Sequence, residues 1–244
     1  LDMKRIIYSI IVLLAMVVSS FTAEAQMPVS LGVRAGANIS SQNINAEELY
    51  EGVCENNTTW KAGFLVGLVA DIKFSNRFAV QPGLFWKRHA YDYFNASVMN
   101  DGSRMRISSG EAGYYTFQIP VLASYRINVS VLEWQIDLGP YVAFGAGGNN
   151  KLETTEISLG EDGQSIRSYR YKSDFYGESD GKIVGCGSFD WGFKFGTGFK
   201  ILGKYYVGIH YNAGMKNLGK KHEGFKGKPS VSNKSVDFSV GYNF

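Results

Sequence analysis

The sequence predicts an all-β fold: an eight-stranded antiparallel up-and-down transmembrane β-barrel with long loops on one side, behind an N-terminal signal peptide. Three observations predict it. Apolar and polar residues alternate with a period of two in eight segments, the connections alternate between long and short, and the first 25 residues read as an export signal. The 244 residues carry 29 glycines but only 5 prolines, and tyrosine and phenylalanine are abundant. Such a composition suits tightly curved sheets with aromatic belts. Mean hydropathy is slightly negative, which a membrane barrel tolerates because only alternate residues of each strand meet lipid.

Lys4 and Arg5 form a basic n-region after Met3, the expected translation start, with Leu1 and Asp2 ahead of it. Ile6 to Val18 is an apolar run too short for a membrane span. Ala23-Glu24-Ala25 is a small-x-small cleavage pattern, so residues 1–25 are expected to be removed and residues 26–244 to form the barrel. No later stretch approaches the length of a membrane helix, which leaves a barrel as the only way to span.

The apolar faces run in order. Leu31, Val33, Ala35, Ala37 and Ile39 come first, then Trp60, Ala62, Phe64, Val66, Leu68, Ala70, Ile72 and Phe74. Phe78, Val80, Leu84 and Trp86 follow, then Tyr115, Phe117, Ile119, Val121 and Tyr125. Leu132, Trp134, Ile136, Leu138, Val142 and Phe144 make the fifth face, and Phe189, Trp191, Phe193, Phe195, Phe199 and Ile201 the sixth. Tyr205, Val207, Ile209 and Tyr211 precede the last, Val236, Phe238, Val240, Tyr242 and Phe244. The short links are Ser75-Asn76-Arg77, Asn128 to Val131 and Leu202-Gly203-Lys204. The long ones are Ser41 to Thr59, Asn95 to Ala112, Gly147 to Ser188 and Lys216 to Lys234. Short periplasmic turns and long extracellular loops give this rhythm in the bacterial outer membrane, and an even strand number then puts both termini in the periplasm. Trp60, Trp86 and Trp191 toward the loop side, and Trp134 toward the turn side, are the expected aromatic girdles. A soluble barrel or sandwich would also alternate, but its exposed face would not be this rich in rings.

The polar faces place Arg34, Lys61, Asp71, Lys73, Lys87, Arg126, Glu133, Asp137, Asp190, Lys194, Lys200 and Asp237 toward the lumen. Two readings are open: a selective ion path, or a plug of paired charges. An eight-stranded interior is just wide enough for side chains to fill, and unpaired buried charge is costly, which favours the plug. Cys54 and Cys186 fall in loops on the same side, where an exported chain can join them as a disulfide; two free thiols are the alternative. In the longest connection, Tyr169-Arg170-Tyr171-Lys172 and Phe175-Tyr176 read either as a hairpin extending above the membrane or as a solvated loop with a local aromatic cluster. The glycines from Gly145 to Gly148 lack any phosphate-loop context and are expected to ease strand curvature. No cofactor motif or metal spacing is present, and the scattered basic residues exclude a nucleic-acid partner.

The last strand, Val236 to Phe244, with Val240, Tyr242 and the terminal Phe244, resembles the signal read by the outer-membrane barrel assembly machinery. The whole region from Val29 to Phe244 resembles the PorT-like outer-membrane β-barrel family. The matching residues are Leu31 to Asn38, Tyr115 to Leu122 and Gly139-Pro140-Tyr141. One branch of that family supports protein secretion and gliding, and most members have no assigned biochemistry. The barrel enzymes that trim lipids use a His with a Ser two residues on, and His89, His210 and His222 all lack it. The expected function is therefore non-enzymatic: a structural or surface-interaction barrel in contact with outer-membrane lipid and, through its loops, with an extracellular protein or glycan. A narrow channel, a secretion-apparatus component and a lipid-modifying envelope enzyme are the alternatives.

Overall fold

The computed structural model describes residues 28–45, 53–98, 104–160, 163–177, 185–221 and 229–244. The expected signal peptide lies outside them. Among the described residues nine strands form one antiparallel sheet: β1 (Val29–Asn45), β2 (Val53–Lys73), β3 (Phe78–Val98), β4 (Arg104–Val129), β5 (Leu132–Gly160), β6 (Gly163–Asp174), β7 (Phe189–Ile201), β8 (Tyr205–Gly214) and β9 (Ser230–Asn243). The order is β4-β3-β2-β1-β9-β8-β7-β5-β6, and β4 also pairs with β5. Eight strands therefore close into a ring, the barrel wall, and β6 stands outside it. Closure leaves no open edge in the wall, as lipid requires.

The wall is inverted relative to a soluble protein. Leu68, Leu138, Val207, Phe195 and Trp191 are exposed, whereas Asp71, Lys87, Arg126 and Asp237 are buried. From Leu132 to Phe144 the outward face of β5 covers about 40 Å of strand, or about 30 Å of height at a tilt of about 40°. The three short links are tight turns. Ser130 (φ 56°), Leu202 (φ 53°) and Gly203 (φ 71°) take the left-handed conformations such turns demand.

Beyond the wall the strands continue farther than expected. Much of the segments Ser41–Thr59, Asn95–Ala112 and Gly147–Ser188 is strand, and β6 pairs with the upper half of β5 to form a hairpin. Of the two readings of the longest connection, the structure adopts the hairpin. Two irregularities mark where the wall becomes the protruding sheet. The β2–β3 register shifts between Trp60 and Leu65, and there Ser40 Oγ donates to Ala90 O at 3.0 Å and accepts from Ala90 N at 2.9 Å, pairing backbone groups the ladder leaves open. The β4–β5 register shifts at Tyr115/Thr116, opposite Gly145 and Gly147, the latter at φ 119°.

The mouth of the barrel holds an aromatic layer. Tyr114 of β4 stacks on Phe175 at 4.0 Å, with Tyr91 and Tyr176 edge-on and Cys186, Leu218 and Val231 packed against them. The chain after β6 is tied across this layer by Phe175 N to Gly148 O, Cys186 N to Phe175 O and Gly187 N to Leu218 O. Cys186 is a free, buried thiol in this layer. Cys54 sits in the extended part of β2 opposite Ser97, and its side chain lies outside the described residues.

Gly36 is required where β1 closes on β9. A Cβ there would lie 1.8 Å from Phe238 O. Gly36→Val is expected to abolish the compact band that shifts on boiling in semi-native electrophoresis, while Gly187→Ala, whose Cβ would meet only Leu218 O at 3.6 Å, is expected to keep it. Burial pushes the Cys186 thiol up to about 12. In a Cys54→Ser background the folded protein should resist iodoacetamide at pH 8 and react only after unfolding, because the thiolate is the nucleophile. Rapid labelling of the folded protein would contradict the packed mouth.

Candidate functional site

The lumen is the densest collection of chemistry in the molecule, and strand alternation builds it. Near the turn side, Asp71 of β2 accepts from Arg126 of β4 and from Lys200 Nζ of β7 at 2.6 Å. Glu133 of β5 faces Lys73, Arg126 and Lys200 at 3.1, 3.2 and 3.3 Å, and accepts from Gln135 Nε2 at 2.7 Å. Four strands are thereby tied across the lumen.

Farther up, Asp237 of β9 accepts from Lys87 Nζ at 2.6 Å and from Lys194 Nζ at 2.8 Å, while Asn38 Nδ2 donates to its other oxygen at 2.7 Å. Asp137 lies 2.9 Å from His210 Nε2. The Arg34 guanidinium donates to Asn243 Oδ1 at 2.8 Å and covers the Tyr206 ring at 4.0 Å. Asp190, at the top, accepts from Asn233 Nδ2 at 2.9 Å. Six cations (Arg34, Lys73, Lys87, Arg126, Lys194 and Lys200) thus share the interior with five anions (Asp71, Glu133, Asp137, Asp190 and Asp237), close to neutrality in a space where unpaired charge is expensive.

Lys61 does not join them. Although the alternation of β2 assigns it to the lumen, it lies beside the β2–β3 register shift and pairs with Asp92 at 2.8 Å and Glu111 at 3.3 Å. Sequence reasoning also missed the apolar inward cluster of Leu65, Val69 and Phe85, over which Lys194 Nζ sits 5.0 Å from the Phe85 ring. A cavity among Arg34, Phe85, Lys194, Tyr206, His210 and Asp237 has a volume of about 20 Å³, space for about one water. That is no room for a substrate beside the His210–Asp137 pair. His89 stacks on Tyr114 at 4.9 Å, with Nε2 3.1 Å from Thr116 Oγ1. Among the described residues no group of three or more His, Cys, Asp or Glu could hold a metal ion.

The outward positions are equally ordered. Trp60, Trp86, Trp134 and Trp191 all face out. Trp86 stacks on Tyr115 at 5.8 Å, Trp134 Nε1 donates to Thr197 Oγ1 at 2.6 Å, and Lys234 Nζ sits 5.4 Å from the Trp60 ring. At the C-terminus Val240 and Phe244 are exposed, and Tyr242 contacts the rings of Tyr205 and Phe244, both at 5.5 Å.

The chain is similar to Ail, the attachment invasion locus protein of Yersinia pestis, at 14% identity over 89% of this chain and 100% of that one, with a TM-score of 0.41. It is similar to OprG of Pseudomonas aeruginosa at 13% identity, covering 89% and 97%, with a TM-score of 0.42. For Neisserial surface protein A the identity is 12%, the coverage 89% and 99%, and the TM-score 0.37. No curated protein matches the chain. The model of the family described as outer membrane protein beta-barrel domain matches residues 24–220, well over half of the sequence. With a ring of eight strands, a lipid-facing apolar exterior and a charged interior, the chain belongs to that family of bacterial outer-membrane barrels.

Proposed function

We propose that the protein is a closed, non-enzymatic barrel of the outer membrane: the paired charges plug its lumen, and its extracellular sheet contacts a protein or glycan outside the cell. The observation that carries the plug is the sharing of Asp71 between Arg126 and Lys200 and of Asp237 between Lys87 and Lys194. An ion path needs groups that bind weakly enough to release, and these carboxylates are already committed to two cations each. The aromatic layer of Tyr91, Tyr114 and Phe175 above them adds a second seal.

In this reading the short turns and both termini face the periplasm, and β3 to β6 project outward. Val240, Tyr242 and Phe244 serve the barrel assembly machinery during biogenesis, before β9 closes on β1. The PorT-like motifs Leu31–Asn38 and Tyr115–Leu122 lie in the wall, on β1 and β4. They serve packing there and add no secretion chemistry.

Reconstituted in planar bilayers in molar KCl, the protein is expected to show no stepwise conductance; steady open steps would favour the channel. Asp237→Asn leaves two buried ammonium groups without a counter-charge. It is expected to cost about 3–5 kcal/mol, the usual penalty for breaking a buried ion pair. Urea unfolding from detergent micelles, followed by tryptophan fluorescence, measures it. The lipid A profile of a deletion strain should match the parent, and a changed profile would favour the envelope enzyme.

A further inference from the structure

We infer that the free edge of β6 is a docking site for an extended, acidic segment of a partner protein, added to the extracellular sheet as a further antiparallel strand. The inference rests on the surface-contact reading above and names the chemistry of the contact.

β6 pairs with β5 in unbroken register from Asn149↔Asp174 to Gly160↔Gly163, and it is the last strand of the sheet. Among the described residues no strand lies along its other side. Residues 163–168 are all exposed, and exposed and half-buried positions alternate from there to Asp174. Natural edges are blunted by brevity, proline or bulges. This one has 12 residues, no proline and no bulge against β5. What protects it is charge, and that charge selects the partner.

Arg170 is engaged with Glu153 at 2.6 Å, and Glu156 with Arg106 at 2.6 Å. Arg167 and Lys172 form no ion pair among the described residues, so two cations on opposite faces of the strand remain to be answered. An apolar row also ends at this edge. Val98, Met105, Ile157 and Ile166 lie side by side across β3, β4, β5 and β6. Val98, Met105 and Ile166 are exposed at 38%, 37% and 63%. Asp92, Glu111 and Lys151 separate this row from the lipid-facing belt. Tyr169 stacks on Tyr171 at 6.2 Å on the other face.

A strand added antiparallel would place an apolar residue beside Ile166, an acidic residue one position earlier beside Arg167, an aromatic two before that beside Tyr169, and a second acidic residue three earlier beside Lys172. Main-chain hydrogen bonds would supply affinity and these side chains specificity. Aromatic and opposite-charge cross-strand pairs are each stabilising.

The probe is a fluorescein-labelled peptide, Thr-Glu-Thr-Thr-Tyr-Thr-Glu-Val-Thr, titrated against the full-length protein in detergent micelles and followed by anisotropy. Saturable binding is expected, lost when alternate residues of the peptide are N-methylated. In the Arg167→Glu/Lys172→Glu protein, binding should weaken about tenfold, the effect of reversing two exposed cross-strand pairs. Both positions are exposed, so the variant should keep heat-modifiable migration. The inference is overturned if the peptide does not bind, if the methylated peptide binds equally well, or if the charge-reversed protein binds unchanged. It also fails if sedimentation shows the protein dimerising in a way that excludes the peptide, since the occupant would then be a second copy. Conductance is measured separately, so a silent barrel that ignores the peptide removes the docking edge and leaves the plugged barrel standing.

Discussion

Two carboxylates, Asp71 and Asp237, each shared between two cations, hold the interior that the rest of the structure presupposes. A strand in a membrane wall has one face in lipid, so each polar residue on that strand must turn inward. Eight strands leave an interior just wide enough for side chains to fill. Charges brought there by alternation must therefore neutralise one another, and they must do so between strands distant in sequence. Arg126 and Asp71 join β4 to β2, Lys200 adds β7, and Lys87 with Lys194 ties β3 and β7 to β9. The ladder hydrogen bonds close the ring, and the ion pairs brace it across the diameter. A hydrophobic core would do this in a soluble barrel, but here the apolar residues are spent on the outside.

The same logic explains where the wall stops. Above Trp86 and Tyr115 the outward face no longer meets lipid, and the sequence switches to Asp92, Glu111, Lys151 and Glu153. Released from the need for a sealed circumference, the sheet shifts register at Trp60/Leu65 and at Tyr115/Thr116. Beyond those shifts β5 gives up β7 and takes β6 as its neighbour. Gly145 admits the ring of Tyr176, and Gly148 admits the close approach of the Gly113–Tyr114 backbone. Lys61 lies at this seam, and the register shift carries it from the interior network to the outer ionic belt.

The wall was legible in the sequence because lipid on one side and a polar lumen on the other impose strict alternation. All eight apolar faces fall on wall strands, and the three short turns fall where expected. The strands beyond the wall were less legible because their outer face meets water rather than lipid. Period two then carries no contrast, and only the fragment Tyr169-Arg170-Tyr171-Lys172 hinted at β6. The aromatic layer had a signal that alternation alone cannot use. In the doublets Tyr114-Tyr115 and Tyr205-Tyr206, one ring must point inward whenever the other meets lipid. Tyr114 and Tyr206 are the buried members. The run Phe64-Leu65-Val66 hid Leu65 in the same way, since an apolar lumen residue between two lipid-facing ones leaves no polar mark.

Alternation supplies sidedness, and sidedness separates the two halves of the molecule by role. Within the membrane most side chains are committed, outward to lipid or inward to a packed or paired neighbour, so substitution there is read first as folding. In the protruding sheet the commitments thin out toward the β6 edge. Arg106 and Arg170 still have carboxylate partners on β5, whereas Arg167 and Lys172 form no ion pair among the described residues. A chain of this family that varied its contacts would do so at least cost to the wall by changing residues on β6, since among the described residues that strand pairs only with β5.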